Sequence, residues 1–109
     1  MDVVGVLAVH HREPVRRAAR ETVSATPGFA WLAEAASAEE ALEAALELRP
    51  GLVLVEAHMP GIDGLETRQR LNAALPRAVV VVLPGHGAPD LETLTPHSLR
   101  ALWERHGPD

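Results

Sequence analysis

Three ionisable side chains sit where apolar runs stop. Glu56 ends the run Leu52-Val53-Leu54-Val55, and His10 and His11 end the run over residues 3–9, VVGVLAV. Both runs are apolar and β-branched, the pattern of strands buried on both faces of a parallel sheet. A charged residue at the end of such a strand lies at the carboxyl edge of the sheet, where α/β proteins place their chemistry. Two imidazoles and a carboxylate at one edge support three kinds of chemistry. They can pair internally, and a carboxylate facing an imidazole raises the imidazole pKa. They can hold Zn²⁺ or a similar borderline ion, with His58 or His86 as a further donor. They can act as a pH switch near neutrality. Neighbours on a strand point oppositely, so His10 and His11 converge only if the strand ends before them.

The elements that must position these groups follow from periodicity. Residues 13–25 read as a helix with Val15, Ala18, Ala19, Thr22 and Val23 on its buried face and Pro14 in its first turn. Pro27-Gly28 breaks it. Residues 29–36, FAWLAEAA, read as a shorter, more exposed strand. Ser37 to Glu40 is a capping box opening a helix to about Arg49, with Ala38, Ala41, Leu42, Ala45 and Leu46 inward and Glu39, Glu43 and Glu47 in water. Pro50-Gly51 leads into the strand that ends at Glu56. After it come Met59-Pro60-Gly61 and Asp63-Gly64, a loop of turn residues. A third helix is expected from Gly64 to Ala74, with Leu65, Leu71 and Leu75 inward. Residues 78–83, AVVVVL, form the most strand-like segment. Thr95-Pro96 starts a last helix with Leu99, Leu102, Trp103 and His106 at i, i+3, i+4, i+7.

Strands alternating with helices predict a three-layer, doubly wound α/β fold with right-handed crossovers. The last strand and the last helix are separated by eleven residues, Pro84 to Leu94. A parallel crossover alone takes about a dozen, so a further helix and fifth strand do not fit between 84 and 94. Four parallel strands in the order 2-1-3-4 are expected, with helices on both faces and the last helix packed back by a loop. The 109 residues suit one domain.

Composition narrows the function. Hydrophobic residues make up 47% of the chain, enough for a core. No run reaches the ~18 apolar residues of a membrane span. The N-terminal stretch has no basic region of the signal-peptide type, and there is no cysteine. A cytoplasmic protein without membrane partners is the expectation. All ten basic residues are arginine, so lysine Schiff-base and P-loop chemistry are excluded. A net charge of −5 and no basic cluster argue against direct nucleic-acid binding.

In this register the segments resemble the receiver domain of two-component response regulators. LAVHHREPVR (residues 7–16) is similar to the end of that domain's first strand, and ELRPGLVLVE (47–56) to the approach to its phosphorylated aspartate. MPGIDG (59–64) is similar to the loop after its third strand, and LTPHSLRALWE (94–104) to the start of its last helix. The likeness covers residues 3–83 and the fragment 94–106, and implies a flavodoxin-like receiver fold.

The resemblance also implies a chemistry: phosphoryl transfer from a histidine kinase to an aspartate. Two acidic residues and that aspartate bind Mg²⁺, and a Thr or Ser and a Lys hold the phosphoryl group. Carried over position by position, the acidic pair becomes His10 and His11, the aspartate Glu56 and the hydroxyl residue Pro84. The lysine has no counterpart. All five positions depart from the family pattern, which implies a degenerate receiver that is not an enzyme and needs no Mg²⁺. A regulatory module that binds another protein, or itself as a homodimer, is the expected function. Val80, Val82, Leu99, Leu102 and Trp103 are its interface candidates. The alternatives are a metal or small-ligand module using His10, His11 and Glu56, and a phosphoacceptor receiver using Glu56. The segment LETLT (91–95) could cover the edge of the fourth strand as an antiparallel partner.

Overall fold

A computed structural model describes residues 2–84 and 90–107. The elements are β1 (Val4–Val9), α1 (Glu13–Ser24), β2 (Phe29–Ala35), α2 (Ala38–Leu48), β3 (Leu52–Glu56), α3 (Gly64–Ala74), β4 (Val79–Leu83) and α4 (Pro96–His106). The sheet is parallel throughout, in the order β2-β1-β3-β4. The expected α/β fold and strand order are both present.

Alternation along the strands divides the core. Val6, Ala8, Leu52, Leu54, Val81 and Leu83 face one side and pack with Val15, Ala19 and Val23 of α1 and Leu99 and Leu102 of α4. Leu7, Val9, Val53 and Val55 face the other and pack with Ala41 and Ala45 of α2 and Leu71 of α3. Strands β1 and β3 are apolar on both faces because helices cover both.

Three of the four helices carry a side-chain cap, and α1 starts instead with Pro14 in its first turn. Ser37 accepts from the Glu40 amide, Asp63 from the Glu66 amide and Thr95 from the Ser98 amide. The reciprocal capping box expected at Ser37 is half made, since the Glu40 carboxylate accepts from the Ser37 hydroxyl and not from the Ser37 backbone amide. A full box occurs at Thr95, where Ser98 returns the bond to the Thr95 amide.

Four expectations are corrected. β2 has seven residues, more than any other strand, because it bulges opposite Val6–Leu7. Leu46 and Leu65 are not inward; they are 53% and 57% exposed. The buried stripes are Ala38, Ala41 and Ala45 on α2 and Gly64, Thr67 and Leu71 on α3. At 3.6 residues per turn, Leu46 and Leu65 lie roughly 105° and 125° from those stripes. Leu99 and Leu102 are core residues at 0% and 3% exposure, so they present nothing to a partner. Last, residues 91–95 form no strand along β4. Asp90 accepts from the amide and hydroxyl of Thr93, and the resulting turn buries Leu91 and Leu94 against the α4 side of the sheet. Among the described residues β4 pairs only with β3.

Candidate functional site

Strand β1 stops at Val9, although His10 still donates its amide to Ala35 of β2 at 3.0 Å. The chain then turns into α1, so the alternation rule no longer separates His10 from His11. Both rings face Glu56, the last residue of β3. Its backbone is fixed from the other side, since Glu56 is in register with Leu83 and the Ala57 amide donates to the Leu83 carbonyl at 2.7 Å.

His11 donates its backbone amide to Glu56 Oε2 at 3.1 Å, and its Nδ1 lies 2.7 Å from the same oxygen. His10 Nδ1 lies 3.5 Å from that oxygen. It is not an ion-pair donor, because it accepts the Arg12 amide at 3.0 Å. A nitrogen that accepts an N–H carries a lone pair, so His10 is neutral with its proton on Nε2. Burial, the largest influence, holds the His10 pKa below its ordinary value of 6.5, and the positive charges of Arg12 and Arg16 act in the same direction against Glu56. The expected upward shift is therefore corrected for His10: desolvation outweighs the carboxylate.

His10 and Glu56 line a pocket of about 250 Å³. Buried Leu83 and Leu91 also line it, with His58, Pro84 and Glu92 exposed at its rim and Asp90 beside them. His58 is exposed on that rim and does not converge with the trio, whereas His10, His11 and Glu56 do. His86 lies outside the described residues. In the loop after Glu56, Met59 is a core residue at 7% exposure, and Gly61 turns the chain at a φ of 82°. Asp63 caps α3. Gly64 is required by packing: a Cβ there would stand 2.5 Å from the Glu56 carbonyl oxygen and 2.8 Å from Ala57 Cα. The loop thus clamps α3 onto the strand end that carries Glu56.

Sequence reasoning missed two parts of the site. Arg16 donates to the His10 carbonyl at 2.8 Å and to Glu34 at 2.6 Å, holding the turn after β1 in place. Its position one turn into the helix that follows His11 was the available signal. Asp90 and Glu92 line the pocket at the carboxyl edge, where loops of parallel sheets gather. Of the interface candidates, Val80 and Val82 are half-buried on β4, and Trp103 meets Phe29 edge-on at 6.3 Å between centroids. A larger pocket of about 580 Å³ lies between Arg49–Gly51 and Ala74–Ala78 at the other end of the sheet. Its ionisable groups are two arginines, which carry no acid–base or metal-ligating pair.

A doubly wound parallel sheet with a polar cluster at the carboxyl edge of β1 and β3 defines the class: an α/β domain of flavodoxin-like topology. A model of the response regulator receiver domain matches residues 6–95. The chain is 38% identical over 81 residues to protein-glutamate methylesterase/protein-glutamine glutaminase 4 of Myxococcus xanthus, covering 74% of this chain and 23% of that protein. It is 35% identical to the response regulator GacA of Pseudomonas viridiflava, covering 74% and 38%. The REC domain of AraT, a response regulator from Geobacillus stearothermophilus, superposes with a TM-score of 0.73 at 26% identity over 94% of this chain and 92% of that one. This chain belongs to the response regulator receiver domain family. It spans less than two fifths of the length of those two full-length relatives.

The family implies Mg²⁺ at this edge. The donor set does not fit that ion. Two of its three members offer imidazole nitrogen and one a carboxylate. Mg²⁺ takes oxygen ligands in near-ideal octahedral geometry.

Proposed function

We propose that this receiver domain regulates by phosphorylation-independent protein–protein contact. One observation carries the reading: the side chain at the position of the family's phosphoacceptor is Glu56, and His11 holds its Oε2 through both backbone and ring. A phosphoryl donor would have to displace that pairing. The longer side chain of Glu also moves the carboxylate into the space of the incoming group. Pro84 has no hydroxyl to take up a phosphoryl oxygen, and the chain has no lysine to pair with one. Acyl phosphate chemistry relies on charge neutralisation that such groups supply.

The contact surface in this reading is the edge of β4 that pairs with no strand among the described residues, while Trp103 packs at the opposite edge against Phe29 of β2. Val79–Leu83 is apolar throughout, with no charge or proline to blunt it. The partner is a second copy, because the same strand run antiparallel supplies a matching edge across a two-fold axis. The membership in signal-transducing regulators supports a regulatory role, while the named activities of the relatives belong to those longer proteins. Incubation with acetyl phosphate and Mg²⁺ followed by intact mass tests the phosphorylation-independent part. An unchanged mass is expected, and a phosphoryl adduct on Glu56 would refute it. Light scattering at micromolar concentration tests the homodimer; a clean monomer counts against it.

A further inference from the structure

His10, His11 and Glu56 each bring one ligand atom to within 4.8 Å of the other two. The two imidazole planes differ by 10° with centroids 5.1 Å apart, and both Nδ1 atoms approach the same carboxylate oxygen. Stacked rings at that spacing cannot both be cationic without repulsion. The Arg12 amide fixes a lone pair on His10 Nδ1, and that nitrogen stands 3.5 Å from Glu56 Oε2. The three groups thus lie close enough to share one electron-pair acceptor, once the His10 ring turns its Nδ1 lone pair away from the Arg12 amide.

We infer that His10, His11 and Glu56 bind a borderline divalent ion of the Zn²⁺, Ni²⁺ or Co²⁺ class, in place of the Mg²⁺ that the family implies. Neutral imidazole and carboxylate suit such ions. Bonds of 2.0–2.1 Å in a tetrahedron set ligand atoms roughly 3.3 Å apart. The observed spread closes by side-chain rotation, since His11 is 38% exposed and its ring bonds only Glu56 among the described residues. A fourth position falls to water. The site uses the residues of the regulatory reading but does not rest on it: failure to take up Zn²⁺ would leave the acetyl phosphate result standing.

The test is calorimetric titration of the chelator-treated chain with ZnCl₂, repeated with MgCl₂. One Zn²⁺ per chain is expected, with no heat from Mg²⁺. Changes beyond the ligands alone typically cost 10–100-fold in metal affinity, so H11Q and E56Q are each expected to weaken Zn²⁺ by at least ~10-fold. H97Q, at an exposed position of α4, leaves it unchanged. Zn²⁺ raises the Tm of the natural chain and not that of H11Q. His11 is exposed enough for H11Q to keep the fold, and E56Q provides an independent second variant. Two results would overturn the inference: no heat with Zn²⁺, Ni²⁺ or Co²⁺, or undiminished binding in both H11Q and E56Q.

Discussion

His10 has the most informative chemistry of any single residue here. Its neighbours are Glu56, His11, Arg12 and Arg16, with His58 on the facing rim of the pocket. Its folded-state pKa is lowered, chiefly by burial. Well above pH 6.5 the ring is neutral in the folded and unfolded chain, and it adds no pH dependence. As pH falls below 6.5 the unfolded chain takes up the proton first, so stability drops until the lower folded pKa is passed. Urea melts of metal-free protein at pH 7.5 and 5.5 are expected to show this loss. His10→Asn is expected to reduce it, because an Asn side-chain oxygen still accepts the amide two residues on but does not titrate. A pH profile identical in the variant would contradict the account. The His11–Glu56 pair is partly exposed, and pairs of that kind contribute about 0.2–1 kcal/mol. His11→Gln is therefore expected to leave stability within ~1 kcal/mol. That two imidazoles and a carboxylate gather at one edge was legible from where the apolar runs stop. That His10 is neutral was not, because it depends on the Arg12 amide and on burial, neither of which has a sequence signature.

At the scale of elements, the loop after β3 sets how closely α3 approaches the sheet. Gly64 sits against the Glu56 carbonyl and Ala57, with no room for a methyl group. Gly64→Ala is expected to cost about 1–3 kcal/mol, the range for forced overpacking, and to displace the end of β3. Chemical denaturation measures the first effect, and amide shifts of Glu56 and Ala57 report the second. A neutral substitution would mean that α3 is free to move away. The element boundaries were largely legible: α3 matches its expected span, α1 begins with Pro14 in its first turn, and α2 and α4 begin at the expected caps. The facing of Leu46 and Leu65 was not. Short side chains at Ala38, Ala41, Ala45, Gly64 and Thr67 let the helices lie close to the sheet, and this close packing, not the leucine positions, sets the stripe. The β2 bulge has no periodic signal either, since an extra residue simply shifts the alternation.

At the scale of the whole molecule, the loop after β4 decides what is exposed. Eleven residues from Pro84 to Leu94 connect β4 to a region that seats α4 beside α1. The length of that segment made the four-stranded sheet legible. Its path was not, because a turn held by Asp90 and Thr93 has no periodicity, so Leu91 and Leu94 as core residues and Asp90 and Glu92 as rim residues went unseen. Leu99 lies at the centre of the packing under α4. Leu99→Ala is expected to cost about 2–5 kcal/mol as a buried large-to-small change. A Leu99→Ala loss well below that range in urea would show that α4 is only loosely docked.

The central claim is that this receiver edge does not accept a phosphoryl group with Mg²⁺. Beryllofluoride imitates a phosphoryl group on a carboxylate when Mg²⁺ is present, and amide NMR reads the response residue by residue. With both added, the His11, Glu56 and Ala57 amides are expected to keep their positions. Displacement of those resonances, spreading into β4, would contradict the account.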